Sequence, residues 1–476
     1  KVMTKKILII CSCLCLHISV FAQQNMTLYQ MHEITQSNSL NPAVASDCKW
    51  NIGFPVLGNI SVAAGLPIAY NDLGVGKEYI DGDKTAALFK STNLLSSNIS
   101  LNILTIGYRA GDTYYQFTMN EKVSAKISFS NDPIELAFKG NAPYTGTVLD
   151  AGIALSLSAY SEYGLNIAHD FGNDLWLGAR AKLLFGKIGA HSANNILSFY
   201  TDPETYALTL KSDLILNTSI PGVMEIDPSD ETVSGFNHQL KVGHFIFNPI
   251  NAGGAIDLGM HKTFESGWKF SASVLNIGMI NWNKNTHQLY QKSTLNYTGP
   301  TPTINSWKDF TDTLKSVLNF KYNGNKSFSQ WLTPEIMLGV SYPVVEYLRA
   351  GVTGYAGISS AGNPWAITAT AFTDNTSNVY GALSYTVTNS SFVNIGVGLG
   401  FSLGAFNIHA LTDNIIAVFS PVSQKYATVQ FGINFKFGCG EENRKSNKYR
   451  SVPCPSFSHS VLNSSRGSIP CASGKR

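Results

Sequence analysis

The sequence predicts an all-β protein, a transmembrane antiparallel β-barrel of about fourteen strands, and three observations carry that prediction. Charged residues make up only 14% of the 476-residue chain, against about 25% for an ordinary soluble domain. Long runs alternate apolar and polar side chains with a period of two, the signature of a strand with two unlike faces. The chain also opens with lysines, an apolar stretch and a small residue, in the manner of an export signal. Mean hydropathy is +0.01, too low for a bundle of apolar membrane helices. With 11% aromatics and 41 Gly the composition excludes disorder, which needs low hydrophobicity and high net charge. It argues equally against a cytosolic enzyme.

Residues 1–22 read as a signal peptide: Lys5-Lys6, an apolar run over 7–21, then Val20-Phe21-Ala22 before a cut at Gln23. About 15 apolar residues fall short of the roughly 20 that span a bilayer. Cys11, Cys13 and Cys15 leave with the signal, and Cys48, Cys439, Cys454 and Cys471 remain. Their wide spacing fits neither a zinc site nor a dense disulfide framework. Residues 438–476 hold nine Ser, seven Lys/Arg and two Glu, and read as a disordered, non-native tail. The two ends carry a formal +8, which outweighs a body of about −5 to give the overall +3. The body is mildly acidic, which gives no basis for nucleic-acid binding.

Within the body, residues 147–160 set Leu149, Ala151, Ile153, Leu155, Leu157 and Ala159 against Asp150, Gly152, Ala154, Ser156, Ser158 and Tyr160. After an expected turn at Ser161-Glu162 the alternation resumes with Tyr163, Leu165, Ile167 and Phe171 opposite Glu162, Asn166 and Asp170. A second turn, Gly172-Asn173-Asp174, leads to Leu175, Leu177, Ala179, Ala181, Leu183 and Phe185 opposite Trp176, Arg180 and Lys182. Each run reaches the roughly 9–11 residues that cross a hydrocarbon layer at a tilt. Alternation alone does not separate a sandwich from a membrane barrel, because each has one apolar face. Length, scarce charge and the export signal favour the barrel.

Similar runs recur near 256–260, 268–274, 379–387 and 393–403. The last opposes its apolar residues with Gly396, Gly398 and Gly400. A Gly-x-Gly-x-Gly inside a strand with no helix after it is not a dinucleotide loop. Glycines on a lumenal face make room for a plug or a ligand. The closing run sets Val429, Phe431, Ile433, Phe435 and Phe437 against Gln430, Gly432, Asn434 and Lys436, and it resembles the C-terminal strand that the barrel assembly machinery reads. Residues 71–97 and 219–250 read as long loops and 283–331 as an excursion with a helix over 306–318. Asp132-Pro133 opens a short helix stopped at Gly140.

For chemistry the sequence offers little. His169, His244 and His261 lack metal-ligand spacing, residues 79–83 read as a solvated turn, and no nucleophile elbow occurs. No enzyme, metal or cofactor is expected. Asp150, Glu162, Asp170, Arg180 and Lys182 fall on the polar face of three adjacent strands and suggest a lumenal charge ladder. Tyr160, Tyr163 and Trp176 are candidates for an interfacial aromatic girdle.

The segment before the barrel carries Gln36-Ser37-Asn38-Ser39-Leu40-Asn41-Pro42-Ala43. It resembles the N-terminal hatch of FadL-like transporters, where an Asn-Pro-Ala element helps to plug a fourteen-stranded barrel. More distantly it is similar to the PorP/SprF-type barrels of secretion and gliding. Asn141-Ala142-Pro143-Tyr144, the run from Ala181 to Gly186, the run from Gly253 to Gly259 and Asp413-Asn414 resemble an uncharacterised family of Bacteroidetes outer-membrane barrels. The resemblance implies a plug at 23–48 centred on Asn41, Pro42 and Ala43, and a barrel at 49–437 in the outer membrane of a Gram-negative bacterium. The expected partners are membrane lipid, the assembly machinery and a hydrophobic ligand. Function is expected to be passive transport of a small hydrophobic or amphipathic ligand, with an assembly component of a secretion or gliding apparatus as the alternative. Arg180 and Lys182 are the candidates for an electrostatic latch that holds the Asn41-Pro42-Ala43 segment.

Overall fold

The computed structural model describes residues 25–74, 81–227, 229, 231–238, 250–297, 319–359, 363–374, 378–389 and 391–439. The expected signal peptide, the helix at 306–318, His244 and the tail beyond 439 lie outside them.

Fourteen antiparallel staves close into one barrel. In chain order they are β1 (Trp50–Gly53, continued by Asn59–Gly65), β2 (Thr92–Ala110), β3 (Thr113–Ser130) and β4 (Val148–Asp150 and Ile153–Asp170). Next come β5 (Leu175–Thr201), β6 (Leu208–Ser219, then Ala252–Thr263), β7 (Lys269–Trp282, then Thr286–Tyr297) and β8 (Lys321–Tyr322, Phe328–Trp331 and Glu335–Val345). The remainder are β9 (Leu348–Gly357), β10 (Trp365–Thr373), β11 (Val379–Thr388), β12 (Asn394–Leu403), β13 (Phe406–Thr412) and β14 (Tyr426–Phe437). Closure is made where β14 pairs with β1, from Trp50↔Phe437 to Gly53↔Asn434 and again from Ile60↔Phe431 to Gly65↔Tyr426. Closing the sheet removes its edges, the condition for β-structure in lipid.

The two faces are sorted opposite to those of a soluble protein. Leu383 and Leu399 are 59% and 50% exposed on the outside, whereas Thr368, Thr386 and Thr388 are fully buried within. This inversion distinguishes a barrel in lipid from a sandwich, which alternation could not do. One end carries tight turns, such as Asn173-Asp174 with both φ positive, the geometry that joins twisted strands in two residues. The other end carries the long connections, including α-helices at Gly82–Ala87 and Asp132–Lys139.

The wall is uneven in height. Staves β2 to β5 run for 18 to 27 residues, well beyond the roughly 9–11 needed to cross. β9 to β13 run for 7 to 10. One side of the barrel therefore rises past the membrane on the long-loop side. β1 and β2 share a ladder from Trp50↔Tyr108 to Gly53↔Thr105 and at Asn59↔Asn102. Beyond that pair β1 is laddered only to β14 among the described residues, leaving a seam.

Several expectations need correction. There is no turn at Ser161-Glu162: β4 runs unbroken from Ile153 to Asp170, because those polar residues sit in a strand whose polar neighbours face the lumen. The expected strand over 147–160 is instead interrupted at Ala151-Gly152. The loop expected at 219–250 contains a hairpin, Gly222–Ile226 with Val233–His238. The excursion at 283–331 contributes wall segments of β7 and β8. The region 71–97 includes the start of β2 and a helix capped by the Asp81 side chain.

Candidate functional site

The lumen is occupied by residues 25–48. Their apolar side chains are those of a small core: Met26, Leu28, Tyr29, Met31 and Ile34 are almost wholly buried, packed with wall residues such as Met337, Phe372 and Leu411. Burying each such side chain is worth about 1.5–3 kcal/mol as an upper estimate. Glycines on the wall let the segment approach. A Cβ on Gly396 would lie 2.5 Å from Thr27 Oγ1, one on Gly398 2.7 Å from Met31 Sδ, and one on Gly178 2.3 Å from the Pro42 carbonyl. On Gly400 it would meet the Tyr380 ring rather than the plug.

Polar contacts fix the segment along its length. Asp413, just past β13, accepts from Met26 N at 2.9 Å, Thr27 N at 2.8 Å, Thr27 Oγ1 at 2.6 Å and the Tyr426 hydroxyl at 2.9 Å. Gln30 donates to Thr353, Thr35 to Asn51, and Gln36 to Asn434. Asn41 donates to the Met260 carbonyl and accepts from Ala43 N, while Asn166 donates to the Pro42 carbonyl. The far end is covalent: a disulfide joins Cys48 to Cys439. The spacing of the cysteines had hidden this bond, yet both lie one pleat beyond the pair Trp50↔Phe437, so barrel closure itself brings them together.

The charged residues form a buried network. Arg180 donates to the Asn38 carbonyl at 2.6 Å, to Asn38 Oδ1 at 2.5 Å and to the Ser39 carbonyl, and pairs with Asp257 at 3.1 Å. Lys182 pairs with Asp257 at 2.6 Å and Glu162 at 3.6 Å, and Lys122 pairs with Glu162 at 2.9 Å. The guanidinium therefore grips the plug at Asn38 and Ser39 rather than at the expected Asn41-Pro42-Ala43, and Lys182 holds only its neighbours on the wall. Asp150 and Asp170 do not belong to this ladder. Both lie at strand ends and accept from backbone N–H groups of Gly152 and Gly172. Asp257 and Lys122, which complete the network, were not singled out in the sequence, because their partners are 77 and 40 residues away.

Tyr160 points inward, into a second apolar cluster with Leu184, Ile280, Trp282 and Leu332, so it is not a girdle residue. Tyr163 lies outside against Phe185. Trp176 sits under the Arg109 guanidinium, 4.9 Å from the ring centre. Phe431 and Phe437 are exposed on the outer face, Phe437 stacked on Phe435. His169 contacts Thr113, and His261 lies with its ring 4.9 Å from His32 of the plug. Among the described residues no group of three His, Cys, Asp or Glu could hold a metal ion.

Between the plug and staves β1 to β5 and β7 to β9 lies a cavity of about 210 Å³. Its walls are mainly Asn, Ser, Thr and Gln, with a substantial apolar part that includes Leu40, Tyr160, Leu275, Leu332 and Tyr355. Lys122, Lys126, Arg180 and Lys182 reach it, as do Glu162 and Glu335.

A closed barrel of this build, apolar outside and plugged within, is of the class to which the outer-membrane barrels of Gram-negative bacteria belong. More specifically, residues 42–413 match the family of unknown function DUF5723, and the chain belongs to that family. Among curated proteins, none matches the sequence. Solved structures similar in fold include the toluene transporter TbuX of Ralstonia pickettii, at 8% identity and a TM-score of 0.40, covering 85% of this chain and 93% of that one. A Pseudomonas aeruginosa FadL homologue is similar at 9% identity and a TM-score of 0.36, covering 84% and 92%. The translocator domain of the Neisseria meningitidis autotransporter NalP is similar at 9% identity and 0.33, covering 87% and 100%.

Proposed function

We propose that the protein is an outer-membrane conduit that passes a small amphipathic solute by displacing part of its plug. The observation that carries this reading is the cavity: it lies between plug and wall, with Thr35, Gln36, Asn38 and Leu40 on one side and barrel residues on the other. A solute entering it touches the segment whose movement would open the lumen. Short turns mark the periplasmic end of such barrels, so the plug is anchored by its disulfide at the periplasmic end and its start reaches the level of Asp413 on the long-loop side. The mixed lining suits an amphipathic solute better than a purely hydrophobic one, because stripping water from unpaired amides and hydroxyls is costly.

The tall wall of β2 to β5 favours a second reading, a partner-binding component of an assembly in which the lumen stays shut. Proteoliposome swelling separates the two. The conduit reading expects solute-dependent swelling that increases when Asp413→Ala frees the start of the plug. Swelling absent in both proteins, with the barrel verified as folded, would favour the assembly role.

A further inference from the structure

The cavity also carries information about the chemistry of its occupant. Resting on the conduit reading, we infer that the solute is a small hydroxylated organic acid, held with its carboxylate toward Lys126. Four cations at the cavity, Lys122, Lys126, Arg180 and Lys182, face three carboxylates, Glu162, Asp257 and Glu335, which leaves one positive charge in excess. Glu162 serves Lys122, and Asp257 serves Arg180 and Lys182. Lys126, 6% exposed, donates to Thr333 Oγ1 at 2.5 Å and has no carboxylate in ion-pair contact among the described residues, with Glu335 acting on it only from a longer distance. A buried ammonium without an anion in contact is expensive, and a carboxylate arriving in the cavity would supply that contact and neutralise the excess positive charge.

The remaining walls decide what else the acid carries. The inward faces of β2, β3 and β4 present Ser96, Asn98, Ser100, Ser124, Ser156 and Ser158 to the cavity. An alkyl chain against these groups would remove their water and return no hydrogen bonds. Hydroxyl groups would replace the water directly, while the Tyr160 and Tyr355 rings offer flat surfaces for the C–H faces of the solute. At about 210 Å³ the space is smaller than the roughly 300–1,000 Å³ that holds drug-sized molecules, which sets the size of the acid.

Calorimetry on the full-length protein in detergent tests this, with gluconate, glucose and octanoate as probes. The expected result is saturable gluconate binding, weaker glucose binding, and no competition from octanoate. Lys126→Gln should weaken gluconate by about tenfold or more, the loss of one charge-assisted hydrogen bond, and Lys126→Arg should restore most of it. Octanoate binding in preference to gluconate, no gluconate binding, or gluconate affinity unchanged in Lys126→Gln would overturn the assignment. Proteoliposome flux separates this failure from failure of the conduit. Flux of octanoate without gluconate removes the ligand class and leaves the conduit, whereas no flux of any probe through Asp413→Ala removes both.

Discussion

Asp413 gathers four donors on one buried carboxylate, three of them from the first residues of the plug. Hydrogen bonds to a charged group are worth about 1.5–3 kcal/mol each, and unmet donors add to the loss. Asp413→Ala is therefore expected to loosen residues 26–29 by a few kcal/mol while the wall stays intact. Amide hydrogen exchange read segment by segment should show lost protection there and little change in β9 to β12. Glu33 adds a dependence on pH. Burial first, and the nearby Asp374 second, push its carboxyl up from 4.5 to about 7. In the seated plug it keeps a proton that a free glutamate would have lost. Seating is thus most favoured below about pH 4.5, weakens as pH rises, and loses this contribution above about 7. Planar-bilayer recordings should show more openings at pH 8 than at pH 5, and Glu33→Gln should flatten that difference. Of these residues the sequence disclosed only some. Arg180 and Lys182 stood out because they interrupt an apolar run at the correct parity. Asp257 and Asp413 were embedded in motifs with no visible partner, and the donors they meet come from distant parts of the chain.

At the scale of elements, the alternating runs were legible wherever one face is consistently apolar, as in β5, β11, β12 and β14. The errors came where lumenal polarity resembled a turn, at Ser161-Glu162, and where wall segments of β6, β7 and β8 are interrupted by insertions. The glycines of β12 were legible as room for a neighbour, and two of the three do abut the plug. Gly398→Leu is expected to push Met31 out of place and raise basal conductance, because the added atoms would enter the Met31 sulfur at a distance no Cβ tolerates. The disulfide ties β1 to β14 at one end of their seam, just beyond Trp50↔Phe437. Replacing Cys48 and Cys439 by Ser together should cost about 2–4 kcal/mol, visible as a lower temperature for the shift between folded and unfolded bands on a gel. The seam between β1 and β2 bears on the route. Ile60→Cys with Leu101→Cys, next to the pair Asn59↔Asn102 and outside the cavity lining, should cross-link without reducing gluconate flux if passage is along the lumen. A block of flux by that cross-link would place the route through the wall.

For the whole molecule, scarce charge and near-zero mean hydropathy reflect two opposed surfaces, one apolar toward lipid and one polar toward a lumen that the chain fills with its own beginning. The plug has its own apolar core, polar contacts along its length and one covalent end, an arrangement that permits its start to move while its base remains attached. The most direct test of this account is gluconate flux into proteoliposomes through the native protein and through Asp413→Ala, measured side by side. The account predicts slow, saturable flux through the native protein and several-fold faster flux through the variant, with the barrel equally stable in both. Equal flux in the two, at the level of empty vesicles, would contradict it.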